Sequence, residues 1–238
     1  MTARAKDLVL RPIPRADAVD LVRRVHYSGK VVNNSQLHIG VFLHNNLEGA
    51  MQFGPPLDKS KALGLVRGTP WDGMLELNRM AFTEALPPHS ESRAIAVSLR
   101  LIRRHAPRVK WVLSYSDATQ CGDGTIYRAA GFILTGIKRS DSLARMPDGS
   151  VVHRLSLATA PEAPRPEAGG RSFFEVTDGA YSFESYVREV GGTILPGFQL
   201  RYLAFVDPTW RDRLAVEPLP YSAIDAAGAR MYRGARPD

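Results

Sequence analysis

The sequence predicts an α/β fold whose sheet begins with an antiparallel hairpin. Apolar residues alternate with other residues on both sides of the turn at His44-Asn45-Asn46, where asparagine tolerates the left-handed region. Helical periodicity then alternates with apolar strands, which indicates a mixed sheet flanked by helices. We expect helices at 16–27 and 91–105, and strands at 37–43, 47–53, 74–82 and 111–116. Periodicity alone leaves several mixed folds open.

The second half of the chain continues this pattern more weakly. Its expected elements are a short helix at 124–130, strands at 132–137, 151–157 and 200–206, and a helical phase within 221–234. A long loop at 55–73 contains one helical turn near 58–64, and loops of this length are usually functional or mobile. Residues 160–170 are rich in Pro, Gly and Ala, which is typical of a linker. We therefore predict a catalytic domain at 1–158, a linker at 159–171 and a C-terminal extension at 172–238.

Composition narrows the classes of function. The chain has 238 residues and a formal charge of +7, so polyanions are favoured partners, although many basic proteins bind no nucleic acid. It contains one cysteine, Cys121, which excludes an internal disulfide and a cysteine metal cluster. No apolar run reaches the roughly 18 residues that a membrane helix needs. The N-terminus lacks the apolar centre of a secretion signal, so we expect a cytoplasmic protein without a membrane partner.

The densest polar stretch, 114–124, follows a predicted central strand. Ligands of open α/β sheets bind beyond the carboxyl ends of such strands. Asp117 is therefore the candidate general base, with Ser116 and Gln120 as substrate-binding residues. The alternative for Asp117 is a turn-capping role. Tyr127 can donate a proton or hold a carbonyl, and its alternative is a packed core residue.

Other candidates lie on the neighbouring predicted elements. His26 and Tyr27 close the first helix, where His26 can exchange a proton near neutral pH. Asn78 and Arg79 lie on a central strand, where polar groups must be paired or face a site, and both are predicted to bind substrate. Arg79 can bind a phosphate, and its alternative is a pair with Glu91 or Asp117. The start of the 91–105 helix offers free amides to an anion. Substrate binding is predicted there for Ser90, Ser92 and Arg93, with Ser90 or Ser92 as the helix cap, and DNA backbone contacts for Arg100, Arg103 and Arg104, whose alternative is a solvated face.

No compact metal motif occurs in the sequence. It contains no His-Glu-x-x-His and no pair of histidines with a nearby acid, and His26, His38 and His44 are scattered. We therefore assign no metal ligands, although a site assembled from distant residues stays open.

Seven stretches in order along the chain carry a family resemblance. They are HYSGKVVNNSQLHIGVF (26–42), LEGAMQFGPPLDKSK (47–61), LELNRMAF (75–82), SESRAIAVSLRLIRR (90–104), SYSDATQCGDGTIYRAAGF (114–132), LPGFQLRYLAFVD (195–207) and PLPYSAIDAAGARMYRG (218–234). Together they resemble the phage Mom family of DNA-modification proteins. The resemblance implies a GNAT-like transferase acting in the host cytoplasm on double-stranded DNA. The implied reaction converts adenine to its carbamoylmethyl derivative on the exocyclic amine and protects phage DNA from restriction. Asp117, Tyr127 and His26 match proposed active-site members of that family, and Tyr27 and Ser92 match less securely.

The sequence does not decide which molecule donates the transferred group. The loop at 88–94 lacks the glycines with which ordinary GNAT enzymes bind the CoA pyrophosphate, and Glu91 would repel that group. Acetyl-CoA followed by amidation is one scheme. The other is a glycyl donor such as glycyl-tRNA, because a carbamoylmethyl group is an isomer of a glycyl group. The alternative functions are a conventional GNAT N-acetyltransferase acting on a small amine or protein, and a non-catalytic nucleic-acid-binding protein. A base inside a duplex must be extruded or caught unpaired, with Tyr27, Phe53 or Trp71 available to stack on it.

Overall fold

The computed structural model describes residues 3–26, 29–119 and 121–231, which fold into two compact units. The first unit comprises Met1–Ser116, Gly124–Gly136 and Leu200–Ala223. The second comprises Asp117–Asp123, Ile137–Gln199 and Ile224–Asp238. The domain division at 158 and 172 stays a prediction, and the stretch expected to be a linker contains a 3-10 helix at Pro166–Ala168.

The strands hydrogen-bond in the order β1-β2-β3-β4-β5-β8-β6-β7. Their bounds are β1 Val9–Pro12, β2 Leu37–Leu43, β3 Asn46–Gly54, β4 Met74–Phe82, β5 Trp111–Asp117, β6 Ile133–Arg145, β7 Val151–His153 and β8 Thr193–Phe205. The helices are α1 Arg15–Val25, α2 Lys59–Leu63, α3 Ser90–His105, α4 Thr125–Ala129, α5 Arg154–Ala158, α6 Phe173–Val176, α7 Phe183–Val190 and α8 Ser222–Ala226. Strands β1 to β4 are antiparallel neighbours, whereas β4 and β5 are parallel. The predicted mixed sheet with an antiparallel first half is therefore confirmed.

The hairpin of β2 and β3 has the predicted bounds to within one residue. His44 and Asn45 form its turn with φ values of 48° and 66°, the left-handed conformation that such tight turns require. Helix α1 packs on this hairpin, where Ala18 and Leu21 contact Ala50 in a small buried cluster. The period-two pattern therefore fixed this part of the sheet.

The core of the first unit forms around the start of β4 and β5. Trp111 is fully buried beside Met74 and Leu203, and its indole N–H donates to the hydroxyl of Thr69 at 3.0 Å. A buried indole N–H needs such a partner. The loop between β3 and β4 is thereby tied to the core.

The second unit has its own aromatic core. Phe173 and Tyr186 are buried with ring centroids 5.4 Å apart. The Tyr186 hydroxyl donates to Glu167 at 3.0 Å, and burial together with this carboxylate raises the pKa of Tyr186. The C-terminal half of the chain therefore includes a folded core of its own.

Several local predictions were wrong or incomplete. Strand β1 carries too few residues to show periodicity and was missed, whereas β6 and β8 are longer than predicted. The strand expected at 151–157 ends at His153, whose ring nitrogen accepts the Leu155 N–H at 3.0 Å and starts α5. No helix within the described part of the chain has the length and apolar character needed to cross a bilayer.

The start of α3 also differs from the expectation. Neither predicted serine caps it, because the Ser90 hydroxyl donates to the Pro87 carbonyl at 2.6 Å and the Ser92 hydroxyl to the His89 carbonyl at 3.2 Å. The N-cap position is His89, whose φ of 69° lies in the left-handed region. Ser90 is buried, so its hydroxyl supports the turn before the helix.

Candidate active site

A β-bulge in the first unit bends the middle of β4. Gln52 pairs with Arg79 and the next residue, Phe53, pairs with Leu77, so Asn78 has no opposite residue on β3. Bulges re-aim side chains and are common beside active sites. The bulge therefore accounts for a polar residue in the middle of a central strand.

Asn78 is buried and belongs to a short hydrogen-bond chain. The Ser35 hydroxyl donates to its amide oxygen at 3.1 Å, and its amide group donates to the Glu76 carboxylate. A side chain at Gly54 would bring a Cβ to 2.8 Å from the Asn78 oxygen and 2.7 Å from the Asn34 carbonyl. Glycine at position 54 is therefore required for the close approach of β3 to this chain of hydrogen bonds.

Glu76 is the ionisable group whose environment suits it to proton transfer. Burial raises its pKa from 4.5 to about 7, against the opposing effects of the Asn78 hydrogen bond and the Arg79 charge. A carboxyl group with a pKa near neutrality is present in both protonation states at physiological pH, which is what a general base requires.

Tyr115 of β5 lies near Glu76. Its side chain is 37% exposed, and burial, followed by the Glu76 charge, raises its pKa. The parallel register of β4 and β5 covers only Met74–Glu76 and Trp111–Leu113, so the strands continue past these residues without mutual pairing. Glu76 is thus the last residue of β4 that pairs with β5, and Tyr115 lies two residues beyond the last residue of β5 that pairs with β4.

Arg79 follows Asn78 on β4, and its charge acts on His26. The Arg79 guanidinium donates to the Lys30 carbonyl at 2.9 Å and to the Asn78 carbonyl at 2.7 Å, so the suggested pairing of Arg79 with Glu91 or Asp117 is wrong. Burial, followed by the Arg79 charge, lowers the pKa of His26 to about 4. His26 is therefore neutral at pH 7, and it lines a shallow pocket with Met80, Phe82 and Glu91, among others. We call Ser35, Glu76, Asn78, Arg79 and Tyr115 the Glu76 cluster.

The predicted general base and its partner lie in different units. Asp117 belongs to the second unit, where its carboxylate accepts the Thr119 N–H at 2.9 Å in a local turn. Tyr127 belongs to the first unit and is buried, with its ring 5.4 Å from that of Phe132 and 5.3 Å from that of Tyr202. Both contacts match the structural alternatives weighed for these residues, and the catalytic roles of Asp117 and Tyr127 stay predictions.

The other predicted site residues are distributed as follows. Ser116 is buried at the end of β5. The exposed arginines of α3 are Arg93, Arg100, Arg103 and Arg104, and none of them forms an ion pair with the described residues. Tyr27 and Gln120 lie outside the described residues. The catalytic role of Tyr27 and the binding roles of Ser116, Gln120 and the α3 arginines stay predictions.

Two aromatic residues named as base-stacking candidates differ in accessibility. Phe53 is buried and cannot stack on a substrate, whereas Trp71 is 64% exposed. Sequence patterning could not separate them, because at neither position does the sequence show whether the ring packs in the core or meets the solvent.

Glu76 lies on a predicted strand, and the sequence alone assigns it no role. Its position two residues before Asn78 on a predicted central strand is the feature that could have pointed to it. Burial raises the pKa of Glu76, and the extent of burial cannot be read from the sequence. Among residues 3–26, 29–119 and 121–231, no three His, Cys, Asp or Glu side chains group as metal ligands.

The start of α3 does not fit the pyrophosphate of CoA. His89 occupies the left-handed position that glycine would supply, and Glu91 places a carboxylate in the first turn. Carboxylate and pyrophosphate repel each other, which opposes the favourable helix dipole.

The antiparallel hairpin, the bulged β4, the parallel step to β5 and the flanking helices fit a GNAT-like α+β fold. The chain belongs to the Mom protein family, whose profile matches residues 7–223. It is 36% identical over 154 residues to the methylcarbamoylase Mom of Escherichia phage Mu. That match covers 64% of this chain and 63% of the relative, so the chain spans a little under two thirds of the curated protein.

Solved structures with a similar fold are acetyltransferases of low sequence identity. A Bacillus subtilis acetyltransferase in complex with CoA is 9% identical, with 83% of this chain and 97% of that one covered and a TM-score of 0.43. The spermidine/spermine N-acetyltransferase of Vibrio cholerae is 9% identical, with 86% and 96% covered and a TM-score of 0.44. The ribosomal-protein-S18-alanine N-acetyltransferase of Escherichia coli is 11% identical, with 84% and 94% covered and a TM-score of 0.41.

Proposed function

We propose that this protein is a transferase that modifies phage DNA in the host cytoplasm by converting adenine to its carbamoylmethyl derivative on the exocyclic amine. The family match over residues 7–223 is the observation that carries the proposal. The relative from phage Mu is named a methylcarbamoylase, which agrees with transfer of a carbamoyl-containing group. Protection of the modified DNA from host restriction is the proposed benefit.

The chemistry requires a base close to the reacting nitrogen. The exocyclic amine of adenine is a weak nucleophile, because its lone pair is delocalised into the ring. A new bond forms between this nitrogen and a carbon of the donor, the donor's leaving group departs with its electron pair, and the nitrogen loses one proton. A carboxylate that accepts this proton must be ionised yet basic, which matches a pKa near 7.

Glu76 supports this role through its burial and its hydrogen bond from Asn78. We propose that Glu76 accepts the amine proton and that the Tyr115 hydroxyl positions the adenine or the donor. Burial, together with the Arg79 charge, lowers the pKa of His26, so that His26 acts as a hydrogen-bonding group of the pocket and not as a cation. Asp117 and Tyr127 remain proposed participants, to be compared with Glu76 by the same assay.

The decisive experiment is mass spectrometry of nucleosides from the DNA of a host that expresses this chain. We expect a deoxyadenosine that is heavier by one carbamoylmethyl group, and we expect Glu76→Gln to abolish it. The exposed Glu84 of the same unit provides the matched control, Glu84→Gln, which retains the modification. Unmodified DNA together with an acetylated small amine or protein would instead identify a conventional N-acetyltransferase.

The proposed donor is an activated glycyl group, whose atoms are those of the carbamoylmethyl product in a different order. The adenine amine attacks the glycyl carbonyl, the carrier leaves with its electron pair and the amine nitrogen loses one proton. The glycyl amine then attacks the adjacent ring carbon and expels the amide nitrogen, which becomes the carboxamide of the product. Feeding isotope-labelled glycine to expressing cells should place the label in the modified nucleoside. A modified nucleoside without label would exclude this donor and leave the transferase assignment intact.

A further inference from the structure

We propose that Leu57 and Trp71, on the loop between β3 and β4, form a wedge that enters the DNA duplex and holds the target adenine outside the base stack. This inference rests on the proposed function, because it assigns a task to a surface beside the proposed reaction site. Enzymes that act on a base inside a duplex must extrude it, and apolar side chains inserted between base steps are a common means.

The two side chains are unusually exposed for their type. Leu57 is 85% exposed and Trp71 is 64% exposed, and the Lys59 ammonium lies 4.4 Å from the centre of the Trp71 ring. A lone exposed leucine needs no explanation. Here a leucine and a tryptophan share one loop, and Lys59, two residues after Leu57, contacts the Trp71 ring.

The loop begins at the Glu76 cluster. Gly54 ends β3 in contact with Asn78 and Ser35, and Leu57 follows three residues later, within roughly 11 Å of Gly54 by chain length. The charge of Asp58 also raises the pKa of Tyr115, so the start of α2 lies close enough to act on that hydroxyl. If the Leu57 side chain enters a duplex, it would therefore open the base stack near Glu76, the proposed general base.

The loop is supported firmly enough to act as a wedge. Pro56, directly before Leu57, is buried. Thr69, two residues before Trp71, accepts the hydrogen bond of the buried Trp111. Between them, Val66 forms a bridge with Leu214, and the Arg67 N–H donates to the Arg213 carbonyl at 2.8 Å. A wedge on a fixed support loses little conformational entropy when it binds.

Charge favours nucleic acid as the occupant. Lys59 and Arg67 bring cations to the loop without an ion pair among the described side chains, and the whole chain carries +7. Aromatic stacking combined with cations that meet the backbone is the usual surface for unstacked nucleic acid. An apolar protein partner would have to desolvate these cations.

The test uses the purified protein with oligonucleotides that contain 2-aminopurine, whose fluorescence rises when the base leaves the stack. One set is duplex with randomised flanking sequence, and the other is the same strand alone. We expect the protein to raise the fluorescence of the duplex, and Leu57→Ala to reduce that rise about tenfold. The variant should bind the single strand within twofold of the unchanged protein, because no stack has to be opened there. Leu57→Met should restore the rise, and Trp71→Ala should reduce it.

Folding is controlled independently. Leu57 is mostly exposed, so its truncation should leave the thermal midpoint unchanged, and Val9→Ala, at a 59% exposed valine of edge strand β1, is the matched apolar control. The wedge is refuted if the unchanged protein gives no rise with the duplex, if Leu57→Ala gives a full rise, or if this variant loses duplex and single-strand binding equally.

The same variants separate this inference from the proposed function. Base extrusion without any modified nucleoside in expressing cells would retain the wedge and reject the carbamoylmethyl reaction. If Leu57→Ala modifies cellular DNA as well as the unchanged protein does, the reaction is retained and the wedge is rejected.

Discussion

Replacing Glu76 by glutamine should make the protein more stable and inactive, and the gain in stability should depend on pH. Burial raises the pKa of Glu76 from 4.5 to about 7 in the folded state. Between these values the folded state binds more protons than the unfolded state, so the stability of the unchanged protein falls as the pH rises through this range. The fall is nearly complete about one pH unit above the folded-state pKa, because Glu76 is then ionised in both states.

The expected size follows from the shift. Each pKa unit corresponds to about 1.4 kcal/mol, so ionised Glu76 costs the folded protein about 3 kcal/mol at pH 8, as an upper value for a partly exposed side chain. Glutamine keeps the shape and can accept the Asn78 hydrogen bond without carrying charge. The free energies of unfolding of the variant and the unchanged protein should therefore be similar near pH 4.5 and should diverge up to pH 8.

Urea denaturation at pH 4.5, 6 and 8 measures this difference, with Glu84→Gln as the control at an exposed glutamate. The same preparations are assayed for DNA modification. A gain in stability that is equal at all three pH values, or no gain at pH 8, would refute the argument that Glu76 is held in an unfavourable environment. A stable variant that still modifies DNA would refute its role as the base.

Three further predictions concern neighbouring positions. Thr69→Val removes the acceptor of the buried Trp111 indole N–H and should destabilise the protein by about 1–3 kcal/mol in urea denaturation, whereas Thr69→Ser should cost much less. Gly54→Ala forces a Cβ to within 2.8 Å of Asn78. It should strongly reduce DNA modification while lowering the thermal midpoint only slightly. An effect on stability alone would contradict that. Asp117→Asn keeps an acceptor for the local turn, so we expect unchanged thermal stability and lost modification, and retained modification would limit this residue to its turn.

The sequence alone determined strands β2, β3 and β4 in the first half of the sheet, whereas it missed the short β1. Period-two alternation with an asparagine turn predicts the β2–β3 hairpin, because one face of each strand is buried and the pattern must follow the pleat. The helix of α3 was predicted equally well from its buried stripe. The family resemblance, carried by ordered segments across the chain, gave the adenine-modification hypothesis before any geometry was known.

Tertiary structure alone decided which polar residues are buried and have shifted pKa values. Glu76 reads as one more strand carboxylate until burial raises its pKa, and burial depends on residues far away in the sequence. The bulge at Asn78 likewise results from the register of two strands and not from any local signal. Phe53 ends a predicted strand and Trp71 lies in the loop that follows, yet only the folded chain shows that one ring packs inside while the other meets solvent.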